Sequence, residues 1–109
     1  MGNELEKEVK RRVRTIVGHQ GDVIVERVSA VPKNAIKATS KTLSLHSESG
    51  NNHILDASAV FNADSEESFV VADGPTQMTH PQHPTLSLAP GIYAVRHVRD
   101  FTPRRNILD

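Results

Sequence analysis

Short β-branched or alternating runs return roughly every ten residues along this chain, each closed by Gly, Pro, Asn, Asp or Ser. That rhythm leaves no room for helices between the runs and predicts an antiparallel all-β domain, a sandwich or a small barrel. Val23-Ile24-Val25-Glu26-Arg27-Val28 follows Gln20-Gly21-Asp22 and reads as a strand, with Val23, Val25 and Arg27 on one face. Pro32 places residues 31–35 in a loop, and residues 36–40 read equally as strand or connection. Thr42 to His46 alternates before the turn cluster of residues 47–52. His53 to Phe61 reads as one strand, Ser68 to Ala72 as another, and Thr76 to His80 as one more. Leu86-Ser87-Leu88 and residues 92–101 alternate on either side of Ala89-Pro90-Gly91, which predicts a central hairpin with Gly91 at positive φ.

The expected domain has six to eight strands, with Val23, Val25, Val60, Phe69, Val71, Leu86, Leu88, Tyr93 and Val95 in its core. Ahead of it, Asn3 is placed to cap a helix whose first turn is acidic (Glu4, Glu6, Glu8) and whose later turns are basic. Leu5, Val9, Val13 and Ile16 would form its apolar stripe, and Gly18 would end it. The fold expected is therefore mainly β: an antiparallel β sandwich or small barrel with one N-terminal α-helix. Residues 1–18 are assigned to an amphipathic helix and residues 19–109 to a single β domain.

Composition removes several function classes. Thirteen basic residues balance thirteen acidic ones, which argues against a bulk electrostatic nucleic-acid binder. With no cysteine, disulfides and thiolate metal sites are excluded. No apolar run reaches the roughly 18 residues of a membrane span, and the charged start has no secretory apolar core. Glu6 stands where a myristoylation motif needs Ser or Thr. A soluble cytoplasmic protein is expected, with no membrane partner.

Several stretches together resemble a family of small uncharacterised β-proteins from bacteria and their phages. Its pattern runs Q-G-D-V, a proline-containing loop, T-G-H-x-H, H-x-x-H and a closing P-x-G-x-Y-x-V-x-x-x-R-E-Y. Gln20-Gly21-Asp22-Val23 is similar to the opening, and Val31-Pro32-Lys33-Asn34-Ala35 to the loop. Ser49-Gly50-Asn51-Asn52-His53 resembles the turn and His80-Pro81-Gln82-His83 the pair. Pro90-Gly91-Ile92-Tyr93-Ala94-Val95 and Arg99-Asp100-Phe101 resemble the closing segment. Asn51 stands in place of the first turn histidine and Phe101 in place of the last tyrosine. The resemblance implies a β fold and brings no activity with it.

Six histidines in 109 residues is an enriched count, and His46, His53, His80 and His83 fall where turns meet strands. Neutral imidazoles are good ligands for Zn, Fe or Ni, so His53, His80 and His83 form a candidate divalent-metal set. Loop histidines held by hydrogen bonds are the structural alternative, and His19 and His97 read as surface residues. Tyr93 and Arg99 are candidate binding residues. No G-x-S-x-G elbow, paired carboxylate or phosphate-cradling glycine loop is present, so no catalytic residue is assigned. Three functions stay open. The first is a non-catalytic binding or accessory module for a protein partner or small ligand. The others are a metal-dependent enzyme with a cupin-like histidine-lined site, and nucleic-acid binding through the basic N-terminal helix. A homo-oligomer is left open beside all three.

Overall fold

Ten β-strands and no helix make up the described part of the chain, which in this computed structural model comprises residues 14–47, 50–63 and 67–98. In order they are β1 (Thr15–Gln20), β2 (Val23–Val28), β3 (Ile36–Lys37), β4 (Thr42–His46) and β5 (Asn52–Asp56), then β6 (Ala59–Asn62), β7 (Ser68–Ala72), β8 (Thr76–His80), β9 (His83–Leu88) and β10 (Gly91–His97). They form a six-stranded sheet, β1-β2-β10-β7-β6-β3, and a four-stranded sheet, β4-β5-β8-β9, with every neighbouring pair antiparallel.

Strand alternation decides what lies between the sheets. The larger sheet turns Val23, Val25, Val60, Val70, Tyr93 and Val95 inward, and the smaller one meets them with Leu43, Leu55, Met78 and Leu88. Each such side chain contributes roughly 1.5–3 kcal/mol by leaving water. Aromatics are only 4% of the chain, so this core is built from aliphatic side chains around one tyrosine. Phe69, though buried, lies on the opposite face of the larger sheet, and Val71 and Leu86 are half-buried.

The all-β class holds, and five expectations are corrected. The N-terminal helix is unsupported: its expected last turn, including Ile16, lies in strand β1, and residues 1–13 lie outside the described residues. The pairing of Thr15, Ile16 and Gly18 with Arg27, Glu26 and Val25 explains this, because a partner strand satisfies the backbone that a helix would have satisfied internally. A barrel does not form, since the two sheets keep separate edges at β1, β3, β4 and β9.

The expected hairpin across Ala89-Pro90-Gly91 is a crossing between sheets: β9 pairs with β8, while β10 pairs with β2 and β7. Its glycine has ordinary backbone; positive φ falls at Gly21 (57°) and Gly50 (93°). Similarly, the single strand expected from His53 to Phe61 is two. The chain leaves the smaller sheet at Ala57, whose N–H donates to Lys41 O, and joins the larger at Ser58, whose N–H donates to Val71 O.

Candidate functional site

The six histidines, scattered along the sequence, come to one end of the sandwich. His97 closes β10 opposite Val23, which itself pairs with Gln20 beside His19. His46 ends β4 opposite Asn52, next to His53, and His80 pairs with His83 at the β8–β9 turn. His97 Nε2 lies 2.9 Å from His46 O, joining β10 of one sheet to β4 of the other. His53, bonded to Gln20 and Asp22, brings β5 to the β1–β2 turn.

At the centre is His53, with no exposed surface. The Gln20 amide is oriented by its own donors: Nε2 donates to Met78 O and to Pro84 O, both at 2.9 Å. Its Oε1 therefore accepts from His53 Nδ1–H at 2.9 Å. On the other side of the ring, Nε2 faces Asp22 Oδ1 at 3.2 Å. Burial pushes the imidazolium of His53 down from its ordinary value. The hydrogen bond to Asp22 opposes that shift, and the neighbouring His80 and His83 add to it.

His80 is also buried, at 7% exposed, and its Nδ1 accepts the backbone N–H of Gln82 at 3.0 Å. Neutral His80 consequently carries its proton on Nε2, which is buried and has no hydrogen-bond partner. The His-x-x-His pair, expected in a loop ahead of a hairpin, is itself a hairpin turn, with Pro81-Gln82 as its two-residue connection. Proline presets φ at the first of those positions, and the turn puts both rings at the same end.

The three rings form a cluster. The centroid of His80 lies 4.5 Å from that of His53 and 4.6 Å from that of His83, while His53 and His83 are parallel within 4° at 6.2 Å. His83 lies over the β1–β2 turn, where Gly21 adopts φ +57° and a Cβ would stand 2.6 Å from His83 Nε2. Only glycine gives both the left-handed turn and the room for that ring. Two clefts flank the cluster. One of about 540 Å³ is lined by Gly50, Asn51, Asn52, Ile54, Thr79, His80 and Pro81. The other, about 480 Å³, lies between His19, Gln20, Gly21, His83, Pro84, Thr85 and Leu86.

Of the residues singled out in the sequence, His53, His80 and His83 are brought together. Among the described residues, no group of three or more His, Asp or Glu side chains is arranged to hold a metal ion. Tyr93 is placed in the core four residues along β10 from His97, its hydroxyl donating to Ala89 O and the Arg27 guanidinium 5.8 Å from its ring centre. Arg99 lies outside the described residues. Gln20 and Asp22 were missed as site residues. They stand in the Gln20-Gly21-Asp22 turn that the sequence does show, but nothing local tells that a histidine more than thirty residues away fills the space between them.

Residues 19–98 match the family model of a domain of unknown function (DUF8820), and the chain belongs to that family. No curated protein and no solved structure matches it. Among the described residues no helix is long and apolar enough to cross a membrane.

Proposed function

We propose that this DUF8820 domain is a non-catalytic binding module of bacterial or phage type, with the histidine end as its recognition site for a protein partner or small ligand. The observation that carries this reading is the engagement of His53. Its Nδ1–H is taken by Gln20 Oε1 across the two sheets and the ring has no exposed surface, so the most buried imidazole is enclosed rather than open to a substrate. No described serine or threonine hydroxyl is hydrogen-bonded to any of the three clustered rings, so a base-activated nucleophile has no support there. Two open clefts beside the cluster supply the recognition surface. The bacterial or phage type rests on the resemblance of the Gln20-Gly21-Asp22-Val23 and His80-Pro81-Gln82-His83 stretches to the pattern described above.

Native mass spectrometry of the purified chain against a mixed small-molecule library, with elemental analysis of the same sample, tests this. The expected result is a compound bound without stoichiometric metal, perturbing the NMR signals of the clustered histidines and recovered unchanged. A bound divalent metal with conversion of a bound compound would overturn it in favour of a metal-dependent enzyme.

A further inference from the structure

Two buried polar atoms beside His53 have complementary hydrogen-bonding needs and no partner: the Nε2–H of His80 and Oδ2 of Asp22. The tautomer of His80 follows from the Gln82 N–H that occupies Nδ1, so Nε2 is a donor in need of an acceptor. Asp22 presents Oδ1 to His53 and keeps Oδ2 as an acceptor in need of a donor. Neither atom is hydrogen-bonded to a residue of the central network. Both Gln20 donors are taken by carbonyls and Gln20 Oε1 is taken by His53 Nδ1–H, so neutral His53 has no second N–H to give Asp22. Buried polar atoms are almost always paired, so two unmet ones of opposite polarity in one cluster mark a place that something else completes.

We infer that this end of the sandwich binds a small neutral group that accepts from His80 Nε2–H and donates to Asp22 Oδ2, a primary carboxamide. The inference rests on the binding-module reading and names its ligand chemistry. The polarity of the two atoms excludes the simpler alternatives. A carboxylate satisfies His80 but brings a second negative charge towards Asp22. A metal ion satisfies Asp22 but meets the proton of His80 rather than a lone pair, and freeing that nitrogen would sacrifice the Gln82 bond that shapes the β8–β9 turn. A carboxamide carries an acceptor and two donors on one flat group, with no charge to desolvate.

The two atoms are buried, but the residues that carry them stand at strand-end turns. Asp22 sits in the β1–β2 turn and is about 29% exposed at its side chain, and His80 borders the β8–β9 turn. The missing Cβ of Gly21 leaves room for the ring of His83 against the β1–β2 turn. A carboxamide reaches such a site either as a free small amide or as the Asn or Gln side chain of a peptide. The chemistry of recognition is the same for both.

The test is NMR of the full chain with nitrogen-15-labelled histidine, titrated in parallel with acetamide, acetate, zinc chloride and an Asn-containing peptide beside its Ala counterpart. The expected result is a saturable shift of His80 Nε2–H with acetamide in the millimolar range and none with acetate or zinc. Asp22→Asn, checked as folded from its backbone amide spectrum, should weaken acetamide binding about tenfold by removing the charged acceptor. Saturation by the Asn peptide alone supports the same chemistry and assigns the source to a polypeptide. No saturable shift with either amide source overturns the inference, the two atoms then being completed by water. Saturation by acetate or zinc instead of an amide overturns it as well. If other compounds bind at the histidines while amides do not, the binding-module reading stands and only the carboxamide fails. If acetamide binds and is hydrolysed, the ligand class stands and the non-catalytic reading fails.

Discussion

Two polar networks in this domain solve opposite problems. On the outer face of the larger sheet, Arg14 bridges Glu67 at 2.7 Å and Glu26 at 3.3 Å, and Arg96 reaches Glu26 at 3.1 Å and Glu67 at 3.4 Å. Two cations and two anions alternate, and the Arg14 guanidinium also lies 6.0 Å from the ring centre of Phe69. The hydrogen bond to Glu67 leads the effects that hold Arg14 in its charged form. At the histidine end, one carboxylate meets one of three clustered imidazoles, and two buried atoms stay unmatched. The first network joins the residue before β1, β2, β10 and the residue before β7, each charge set against an opposite one. The second fastens one sheet to the other and leaves two buried polar atoms without a hydrogen-bond partner. A closed network supports structure; an open one is where a domain of this size meets something else.

That contrast makes graded expectations. Gln20→Ala should be the most damaging change, because it abandons Met78 O, Pro84 O and His53 Nδ1–H together. A loss of about 3 kcal/mol in urea unfolding is expected, and a loss below about 1 kcal/mol would mean that these bonds do not join the sheets. Glu26→Ala should come next, at about 2 kcal/mol, since Arg14 and Arg96 retain Glu67 as a partner. Raising salt should leave most of that loss in place if the network is as sheltered as its geometry indicates.

The pH dependence follows from His53, whose folded-state value is lowered from 6.5. The folded chain then binds fewer protons than the unfolded one just below 6.5. Stability from this group is complete above that pH and declines as pH falls towards the lowered folded value. Thermal unfolding followed between pH 7.5 and 5 should show this decline, and His53→Gln should flatten it relative to the parent chain. Equal slopes in the two proteins would assign the proton uptake to other groups. The smallest effect is expected for Asp22→Asn, within about 0.5 kcal/mol in stability, because the side chain is partly exposed and has a single polar contact. A cost like that of Glu26→Ala would erase the distinction between the two networks.

Much of the β framework was legible from local pattern. The runs at Val23–Val28, Ser68–Ala72 and Thr76–His80 are strands where alternation and turn residues placed them. Strand membership was not legible, because alternation reports which face a side chain takes and says nothing about which sheet receives it. Ala57-Ser58 and Ala89-Pro90 look like a continuation and a hairpin turn, yet both carry the chain across the sandwich. The apolar spacing that ends at Ile16 fits a helical period, but at Ile16 itself pairing with β2 overrides it.

The sequence by itself determined that the domain is antiparallel and all-β in its described part, that its core is aliphatic, and that its metal chemistry has no thiolate to draw on. It also marked His53, His80 and His83, because imidazoles beside turn residues stand out without any fold. Only the tertiary structure decided that all six histidines share one end, that His53 is wholly buried between Gln20 and Asp22, and that His80 keeps an unmatched N–H. Those are relations between strands far apart in sequence, set by the register of eight antiparallel pairings. Hydrogen-bond polarity follows from position: an imidazole becomes donor, acceptor or both only when the folded chain brings its neighbours into contact.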